Sequence, residues 1–287
     1  MTISTKTTSG SERIKDGSVT GRKICAGEIA AEHLSSSVTD MLGAAGTLAG
    51  LTSTVDELNN NDKSTKVTWF SDFLGDSLPP DGTASPGAGT GNAVSVDDGF
   101  GGIMFAKSSS ADAAFTDNAS AWALGYLQWK AAQGGLCMEA RVAISDVSEA
   151  YLFFGFTDQL PDTGLEQPLF LTGANIDSDA TDACGILYDV DGTTKQWCHG
   201  GVKAGTDTTP AYSGTAPTDN TYVTLRVEVS SDGAVQGFIN GTAIGTAVAN
   251  AVTTTAALAP VFVVANRSAN VVIGYCDYFY VQGNRVN

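Results

Sequence analysis

The sequence predicts a mainly β protein, an antiparallel sandwich that follows an extended N-terminal arm and short helices. Three observations indicate this class. The 287 residues include 33 glycines, and a hydrophobic share of 43 % is sufficient for a packed core. Beyond residue 66, apolar and polar residues alternate with the period of two that is typical of half-buried strands. Asp-Gly and Asn-Gly pairs between these runs favour the tight turns of β-hairpins.

Three segments carry the strand signal. Residues 136–144 place Leu, Met, Ala, Val and Ile at every second position, which predicts a strand with one buried face. The run YLFFGF at 151–156 is apolar on both faces, as expected of a strand between two layers. Residues 222–246 read as strand, Asp232-Gly233 turn, strand, Asn240-Gly241 turn and strand. No helix intervenes, which favours a sandwich or barrel over an α/β fold.

A long segment between two predicted strands has the composition of a loop. Residues 76–98 (DSLPPDGTASPGAGTGNAVSVDD) contain three prolines and several glycines. Loops of this length are often functional. The side chains present here offer no chemistry, so we expect an exposed surface loop.

The net charge of −16 is unevenly distributed. Residues 1–40 hold five acidic and five basic residues, so the other 26 acidic and 10 basic residues carry the whole excess. An acidic surface repels phosphate backbones, and we therefore expect no nucleic acid as a partner.

The cysteines and the hydropathy pattern exclude several further classes. The five cysteines (Cys25, Cys137, Cys184, Cys198 and Cys276) are widely spaced without a C-x-x-C pair, which favours buried free thiols over zinc ligands or disulfides. No stretch reaches the ~18 apolar residues of a membrane span, and the polar N-terminus lacks the apolar core of a signal peptide. We expect neither a membrane association nor a cofactor.

The N-terminal arm has an unusual spacing of apolar residues. One recurs every five positions, which fits neither the 3.6-residue period of a helix nor the two-residue period of a strand; the members are Ile14, Val19, Ile24, Ile29 and Leu34. Such a segment cannot bury these side chains by itself. It either packs on its own sandwich or, as we expect, docks on a partner or winds with copies of itself.

The next segment switches to helical signals. Ser35 to Ser37 offer N-caps before an amphipathic run, and Thr54 with Glu57 resembles a capping box. We therefore divide the chain into an extended anchoring arm (1–34), a short helical connector (35–65) and a β-sandwich (66–287).

The β region resembles the concanavalin A-like lectin and glucanase jelly rolls. The resemblance rests on the strand–turn–strand run at 222–246, on APVFVVANRSA, on the closing DYFYVQ and on the opening TWFSDFLGD. It covers residues 66–287 and implies a jelly-roll sandwich. This fold hosts lectins, hydrolases and scaffolds alike, so it implies little about function.

The N-terminal part resembles phage virion proteins. IKDGSVTGRKICAGEIAAEHLS is similar to the arms of phage head-fibre and head-decoration proteins, and TVDELNNND resembles a phrase common in phage fibre chains. The resemblance implies a homotrimer fixed to the surface of a virion.

The carboxylates that hydrolytic relatives of this fold use are missing from the sequence. Those enzymes carry E-x-D-x-x-E or E-x-D-x-E on one strand, and neither pattern occurs here. The nearest candidates are Glu139 alone and the pair Asp189 and Asp191, where Asp191-Gly192 is more simply a turn. We therefore predict no catalytic residues and no enzyme activity.

Histidine and calcium chemistry receive little support. His199 lies in no nucleophile motif, and its neighbour Cys198 would point to the opposite face of a strand. An acidic loop with Asp177, Asp179 and Asp182 could contribute oxygens to Ca²⁺, but the order of an EF-hand is missing, and we favour a solvated loop.

A lectin role would need exposed aromatic rings. We expect Trp122 and Trp129, within the dense apolar run WALGYLQW, to fill the core, while Trp197 stays available. Binding of a host glycan therefore remains an alternative.

From these observations we expect a capsid decoration protein of the cement or head-fibre type, assembled in the host cytoplasm and anchored to the major capsid protein by its arm. Each arm side chain would contribute ~1.5–3 kcal/mol if fully buried on the capsid. The alternative is a tail-fibre or receptor-binding protein whose sandwich binds host glycans.

Overall fold

The computed structural model describes residues 65–285, apart from 88, 90, 98–101, 109–118, 126, 160–166 and 269. The predicted arm, with Ile14, Val19, Ile24, Ile29 and Leu34, and all of the connector before Thr65 lie outside the described residues. Within them the chain forms eighteen strands and a single 3-10 turn at Ala131–Gln133. None of the described helical segments is long and apolar enough to span a bilayer.

Eight strands form the first antiparallel sheet, sheet A. They are β1 (Lys66–Ser71), β3 (Ala93–Val96), β4 (Met104–Lys107), β6 (Leu136–Ile144), β14 (Val223–Val229), β15 (Val235–Ile239), β16 (Thr242–Ala243) and β18 (Ile273–Asn284). The order is β16-β15-β14-β6-β18-β4-β3. Because β4 pairs with the first half of β18 and β1 with the second half, β1 and β4 lie end to end along the same side of β18.

Eight further strands form the second antiparallel sheet, sheet B. They are β2 (Gly82–Pro86), β5 (Ser120–Leu124), β7 (Ala150–Thr157), β10 (Ala183–Asp189), β11 (Cys198–Lys203), β12 (Thr206–Asp207), β13 (Ala211–Tyr212) and β17 (Ala259–Asn266). The order is β12-β11-β10-β7-β17-β5-β2, with β13 beside β11. The remaining strands, β8 (Phe170–Thr172) and β9 (Asn175–Asp177), form a separate hairpin. The predicted antiparallel jelly-roll sandwich is confirmed.

The alternation in the sequence determines which side chains enter the core between the sheets. In β6 the five predicted inward residues are buried, and in β14 the predicted alternation likewise directs Leu225, Val227 and Val229 inward. Aromatic rings fill the centre: the Trp122 and Phe279 centroids lie 4.9 Å apart, and Phe154 packs on Phe279 at 5.7 Å. The predicted core placement of Trp122 and Trp129 is confirmed.

The two predicted turns are also present. Gly233 has φ +83°, and Asn240 and Gly241 have φ +49° and +78°. Two successive residues with positive φ are the requirement of a type I′ hairpin turn, which explains the Asn-Gly pair. The Asn240 side chain strengthens this turn because its Oδ1 accepts a hydrogen bond from the Thr224 amide at 2.9 Å.

The central strands of sheet B, β5, β7, β10 and β17, are buried on both faces. Every residue of β7 is buried: Leu152, Phe154 and Phe156 face the core between the sheets, whereas Tyr151 and Phe153 face a second apolar cluster. The segment around the β8–β9 hairpin supplies the other half of this second cluster; its buried members are Leu169, Leu171, Ile176 and Ala180. As predicted, the run YLFFGF lies between two layers. One layer is sheet A, and the segment around the hairpin forms the other.

The prediction of an exposed loop over residues 76–98 is wrong, because this segment contains β2 and β3. Both are edge strands, where proline and glycine are tolerated. Gly82 is required by packing: a Cβ there would lie 2.3 Å from the Trp122 ring. The high proline and glycine content of this segment therefore predicted a loop where two short edge strands are present.

A buried ion pair fixes the hairpin to sheet B. Nε of Arg267 donates to Oδ1 of Asp189 at 2.9 Å, and Nη2 donates to the other carboxylate oxygen. The same carboxylate accepts the Leu171 amide of β8 at 2.9 Å. The guanidinium lies 5.7 and 5.6 Å from the ring centroids of Tyr151 and Phe170. Charge, hydrogen bonds and aromatic contacts thus converge on one arginine.

We predict that Arg267→Ala lowers the free energy of unfolding by about 3–5 kcal/mol, because it leaves the Asp189 carboxylate buried without its cation. Arg141→Ala is the matched control: its ion pair with Asp277 is solvent-exposed and should contribute at most about 1 kcal/mol. Urea denaturation measures both variants. Equal losses in the two would contradict this assignment.

Candidate functional site

The outer face of sheet A is covered by aromatic side chains. Neighbouring positions on the same strands point into the core, so alternation directs these rings outward. We call this surface the aromatic face; its rings are Phe70, Phe105, Tyr222, Phe238, Tyr275, Tyr278 and Tyr280. Phe70 is 59 % exposed and the others are half-buried. Among the described residues sheet B shows no comparable surface, because its central strands are buried on both faces and the segment around the β8–β9 hairpin packs on the outer one.

A continuous row of side chains crosses the aromatic face from edge to edge. Strand register places Phe70 beside Tyr280, Tyr280 beside Glu139, Glu139 beside Arg226 and Arg226 beside Phe238. Five strands at a spacing of about 4.8 Å give this row a length of about 19 Å. The row has aromatic rings at both ends and one acid and one base at its centre.

Hydrogen bonds orient the central carboxylate. The Tyr278 hydroxyl donates to Oε1 of Glu139 at 2.7 Å, and the Tyr278 ring packs on Phe70 with centroids 6.1 Å apart. A shift of register between Cys276 and Phe279 allows both Asp277 and Tyr278 to reach this face. Burial, together with the bond to Glu139, raises the pKa of Tyr278 to about 12, so its hydroxyl remains a donor at neutral pH.

Two arginines lie over rings of this face at cation–π distance. The Arg141 guanidinium lies 4.3 Å from the Tyr222 centroid and pairs with Asp277 at 2.6 Å. The Arg226 guanidinium lies 4.2 Å from the Phe238 ring, with Oε1 of Glu228 at 3.2 Å from its Nε. Because each cation has a carboxylate beside it, the charges on this face largely compensate one another.

A hollow of about 260 Å³ lies at one end of the aromatic face. The residues that line it include Tyr222 and Tyr275 together with the polar residues Asn220 and Asp97. A small cyclic molecule could contact rings and hydrogen-bonding groups together in this hollow. Chemically, the face therefore suits a flat, partly apolar ligand that carries many hydroxyl groups.

The aromatic face does not provide the carboxylates of a retaining glycosidase along one strand. Glu139 has Cys137 and Arg141 as its outward neighbours on β6, where the expected motif would place a second acid. Burial raises the pKa of three carboxyls, those of Asp158, Asp179 and Asp189. They belong to sheet B and its covering segment and not to this face.

The candidate pair of acids, Asp189 and Asp191, is divided between the interior and the surface of the protein. Asp189 is fully buried and paired with Arg267, whereas Asp191 is exposed in the turn after β10. The predicted turn at Asp191-Gly192 is confirmed, because the Gly192 amide donates to the Asp189 carbonyl at 3.2 Å.

The three acids of the predicted loop do not converge. Oδ2 of Asp177 accepts from the Thr172 hydroxyl at 3.3 Å, Oδ2 of Asp179 from the Gln167 amide at 3.1 Å, and Oδ1 of Asp182 from the Thr253 amide at 2.7 Å. Each carboxylate thus accepts from a different segment of the chain, Asp177 from a side-chain hydroxyl and the other two from backbone amides. In the described part of the chain, no group of acids, histidines and cysteines is arranged to hold a metal ion.

His199 and Cys198 point to opposite faces of β11, as predicted. Cys198 belongs to the outer cluster of sheet B, while the Cβ of His199 lies on the inner side, within 3.1 Å of where a Cβ at Gly237 would stand. Burial lowers the pKa of His199 to about 4, so its ring is uncharged at neutral pH, and it lies in the interior and not on the aromatic face.

The described cysteines follow the sequence prediction, whereas Trp197 does not. The four described cysteines are buried and free, and burial raises the pKa of each thiol. The expectation that Trp197 stays available to a ligand is wrong, because its side chain is buried in the core between the sheets. The tryptophans do not indicate the aromatic face, because its rings are phenylalanines and tyrosines. The spacing of Tyr278 and Tyr280 around the buried Phe279 is a signal for outward rings.

Comparison with known proteins concerns the fold. No family model and no curated protein matches the chain. Similar structures include a β-glucanase from Bacillus licheniformis, with 13 % identity, a TM-score of 0.49 and coverage of 75 % of this chain and 97 % of that one. The carbohydrate recognition domain of Emp47p has 14 % identity, a TM-score of 0.48 and coverage of 78 % and 99 %. A carbohydrate esterase from the Shiga toxin-encoding bacteriophage phi24B has 19 % identity, a TM-score of 0.42 and coverage of 71 % and 90 %.

We predict that the stability of the protein depends on the neutral state of His199. The pKa of about 4 lies below the ordinary value of 6.5, so the unfolded chain takes up this proton first as the pH falls. The contribution of the neutral ring is complete above pH 6.5 and is lost progressively towards pH 4, by an amount on the order of 3 kcal/mol.

The measurement compares urea denaturation of the wild type and His199→Gln between pH 4 and 8. Differencing the two proteins removes the pH dependence of the acidic groups that they share. Their free energies of unfolding should run parallel above pH 7, and the wild type should fall relative to the variant below pH 6. Parallel curves over the whole range would contradict the assignment.

Proposed function

We propose that the sandwich is a non-catalytic binding module that takes a polysaccharide on the aromatic face, and that the N-terminal arm attaches it to a phage particle. The observation that carries the binding role is the row from Phe70 to Phe238. Sugar rings present C–H groups on their flat faces and hydroxyls around their edges. A row of rings interrupted by a carboxylate and a guanidinium offers partners for both kinds of group.

The burial pattern supports a ligand for this face. Exposed apolar side chains that lie together indicate an interaction surface, whereas isolated ones do not. Phe70, Tyr280 and Phe238 lie in one row, and hydrogen bonds or stacked arginines hold their polar neighbours in place. The pre-oriented groups lose little conformational freedom when they bind.

The distribution of acids supports binding without turnover. A retaining glycosidase needs two carboxyl groups about 5–5.5 Å apart, one of them with a raised pKa. Glu139 accepts from Tyr278, and Asp277 is engaged by Arg141. The acids with raised pKa values lie on the other sheet.

The attachment to a virion rests on the similarity of residues 14–35 and 54–62 to phage head-fibre and decoration proteins. Anchoring through Ile14, Val19, Ile24, Ile29 and Leu34 on the major capsid protein would make the chain a decoration protein. Attachment at the tail would make it a receptor-binding protein. The number of copies per virion separates the two, with hundreds on a capsid and a handful on a tail.

We predict that Tyr280→Ala and Phe238→Ala each weaken polysaccharide binding about tenfold, since an aromatic contact contributes about 1.4 kcal/mol. Tyr212→Ala, which removes a half-buried tyrosine from sheet B, is the matched control and should bind like the wild type. Affinity electrophoresis against a panel of bacterial O-chains and capsular polysaccharides measures the effect.

The same panel tests the absence of catalysis through the release of reducing ends. The proposal expects no release by the wild type. Release of reducing ends by the wild type that Glu139→Gln abolishes would establish an enzyme instead. Equal binding by the wild type, Tyr280→Ala, Phe238→Ala and Tyr212→Ala would place the ligand away from the aromatic face.

We predict that deletion of residues 1–34 leaves a folded sandwich that no longer associates with capsids. Circular dichroism checks the fold, and sedimentation with empty capsids checks the association. Full occupancy of capsids by the truncated protein would overturn the anchoring role of the arm.

A further inference from the structure

The strand β1 leaves one edge without a partner among the described residues. The Arg285 amide donates to the Thr65 carbonyl at 2.8 Å, which identifies Thr65 as a residue whose backbone faces β18. Backbone groups alternate in direction along an antiparallel strand. The N–H and C=O groups of Thr68 and Phe70 therefore point away from β18 toward the open edge.

This open edge also carries exposed apolar side chains. Val67 is 37 % exposed, Phe70 59 % and, just beyond the strand, Leu74 73 %. An exposed edge strand with apolar side chains is a template for another strand, and proteins usually protect such an edge with a charge, a proline or a cover. The charged residues here are Lys66, which begins the strand, and Asp72, which directly follows it.

We infer that the edge of β1 pairs with β1 of a second copy of the chain, antiparallel and around a two-fold axis at Trp69. In this register Thr68 lies opposite the partner's Phe70, and the two exchange both backbone hydrogen bonds. The two-fold axis repeats the pair, so that four outward backbone groups of each copy are satisfied.

Charge complementarity selects this register. With Trp69 on the axis, Lys66 lies opposite the partner's Asp72, and the axis repeats this contact. Neither residue forms an ion pair within the described part of the chain. A shift by two residues in either direction places Lys66 opposite the partner's Phe70 or the partner's Leu74. Of these three registers, only the one with Trp69 on the axis places opposite charges against each other at both ends of the paired strands.

The pairing has a consequence for the aromatic faces. A two-fold axis perpendicular to the sheet keeps both outer faces on the same side, so two eight-stranded sheets become one. The inference does not depend on the proposed ligand. If the ligand is a polysaccharide, one chain of sugars could contact both copies.

Reversal of single charges tests the inference on the full-length protein. Lys66→Asp places two acids opposite each other, and Asp72→Lys places two bases opposite each other. Each variant should halve the particle mass measured by analytical ultracentrifugation, whatever other association the chain has. The combined variant Lys66→Asp with Asp72→Lys should restore the wild-type mass.

Two further variants separate pairing from folding. Thr68→Pro removes an N–H that points to the open edge and should also halve the mass, whereas Lys195→Asp, in an exposed turn, should leave it unchanged. Circular dichroism and thermal unfolding verify that each variant is folded. An unchanged mass in folded Lys66→Asp and Asp72→Lys, or a combined variant that stays at half the mass, would overturn the inference.

Discussion

The burial of the central strands of sheet B on both faces is the constraint on which the rest of the structure depends. The strand YLFFGF directs Leu152, Phe154 and Phe156 to one side and Tyr151 and Phe153 to the other. A two-layer sandwich can cover only one of these sides. The second side needs the β8–β9 hairpin, and the hairpin in turn needs the ion pair between Asp189 and Arg267 to hold its backbone in place.

This constraint bears on where the proposed ligand can bind. Since the segment around the hairpin packs on the outer side of sheet B, the open face across several strands lies, among the described residues, on sheet A. The rings on that face lie beside polar groups that already have partners within the protein, such as Glu139 with Tyr278 and Arg141 with Asp277. Such groups can exchange one hydrogen-bonding partner for a hydroxyl of a ligand without leaving a charge buried alone. The arrangement suits reversible binding better than proton transfer.

Much of the fold could be predicted from local patterns. The alternation in β6 and β14 and the Asn240-Gly241 turn are local signals, and each was read correctly because burial and positive φ act on single residues. The edge strands β2 and β3 could not be recognised, because they obtain their hydrogen bonds from one neighbour and tolerate proline and glycine. The partner of Asp189 lies 78 residues away in the sequence, and no spacing indicates it. The aromatic face depends in the same way on the register between β1, β18, β6, β14 and β15. The anchoring arm remains a prediction from the sequence.

Hydroxyl-radical footprinting of the protein with and without a bound polysaccharide tests the central claim, that sheet A carries the binding face, most directly. Oxidation of Phe70, Tyr275 and Tyr280 should decrease when the polysaccharide is bound, while oxidation of Tyr212 and Phe170 on the side of sheet B should stay the same. Protection of Tyr212 and Phe170 with unchanged oxidation of the aromatic face would contradict it.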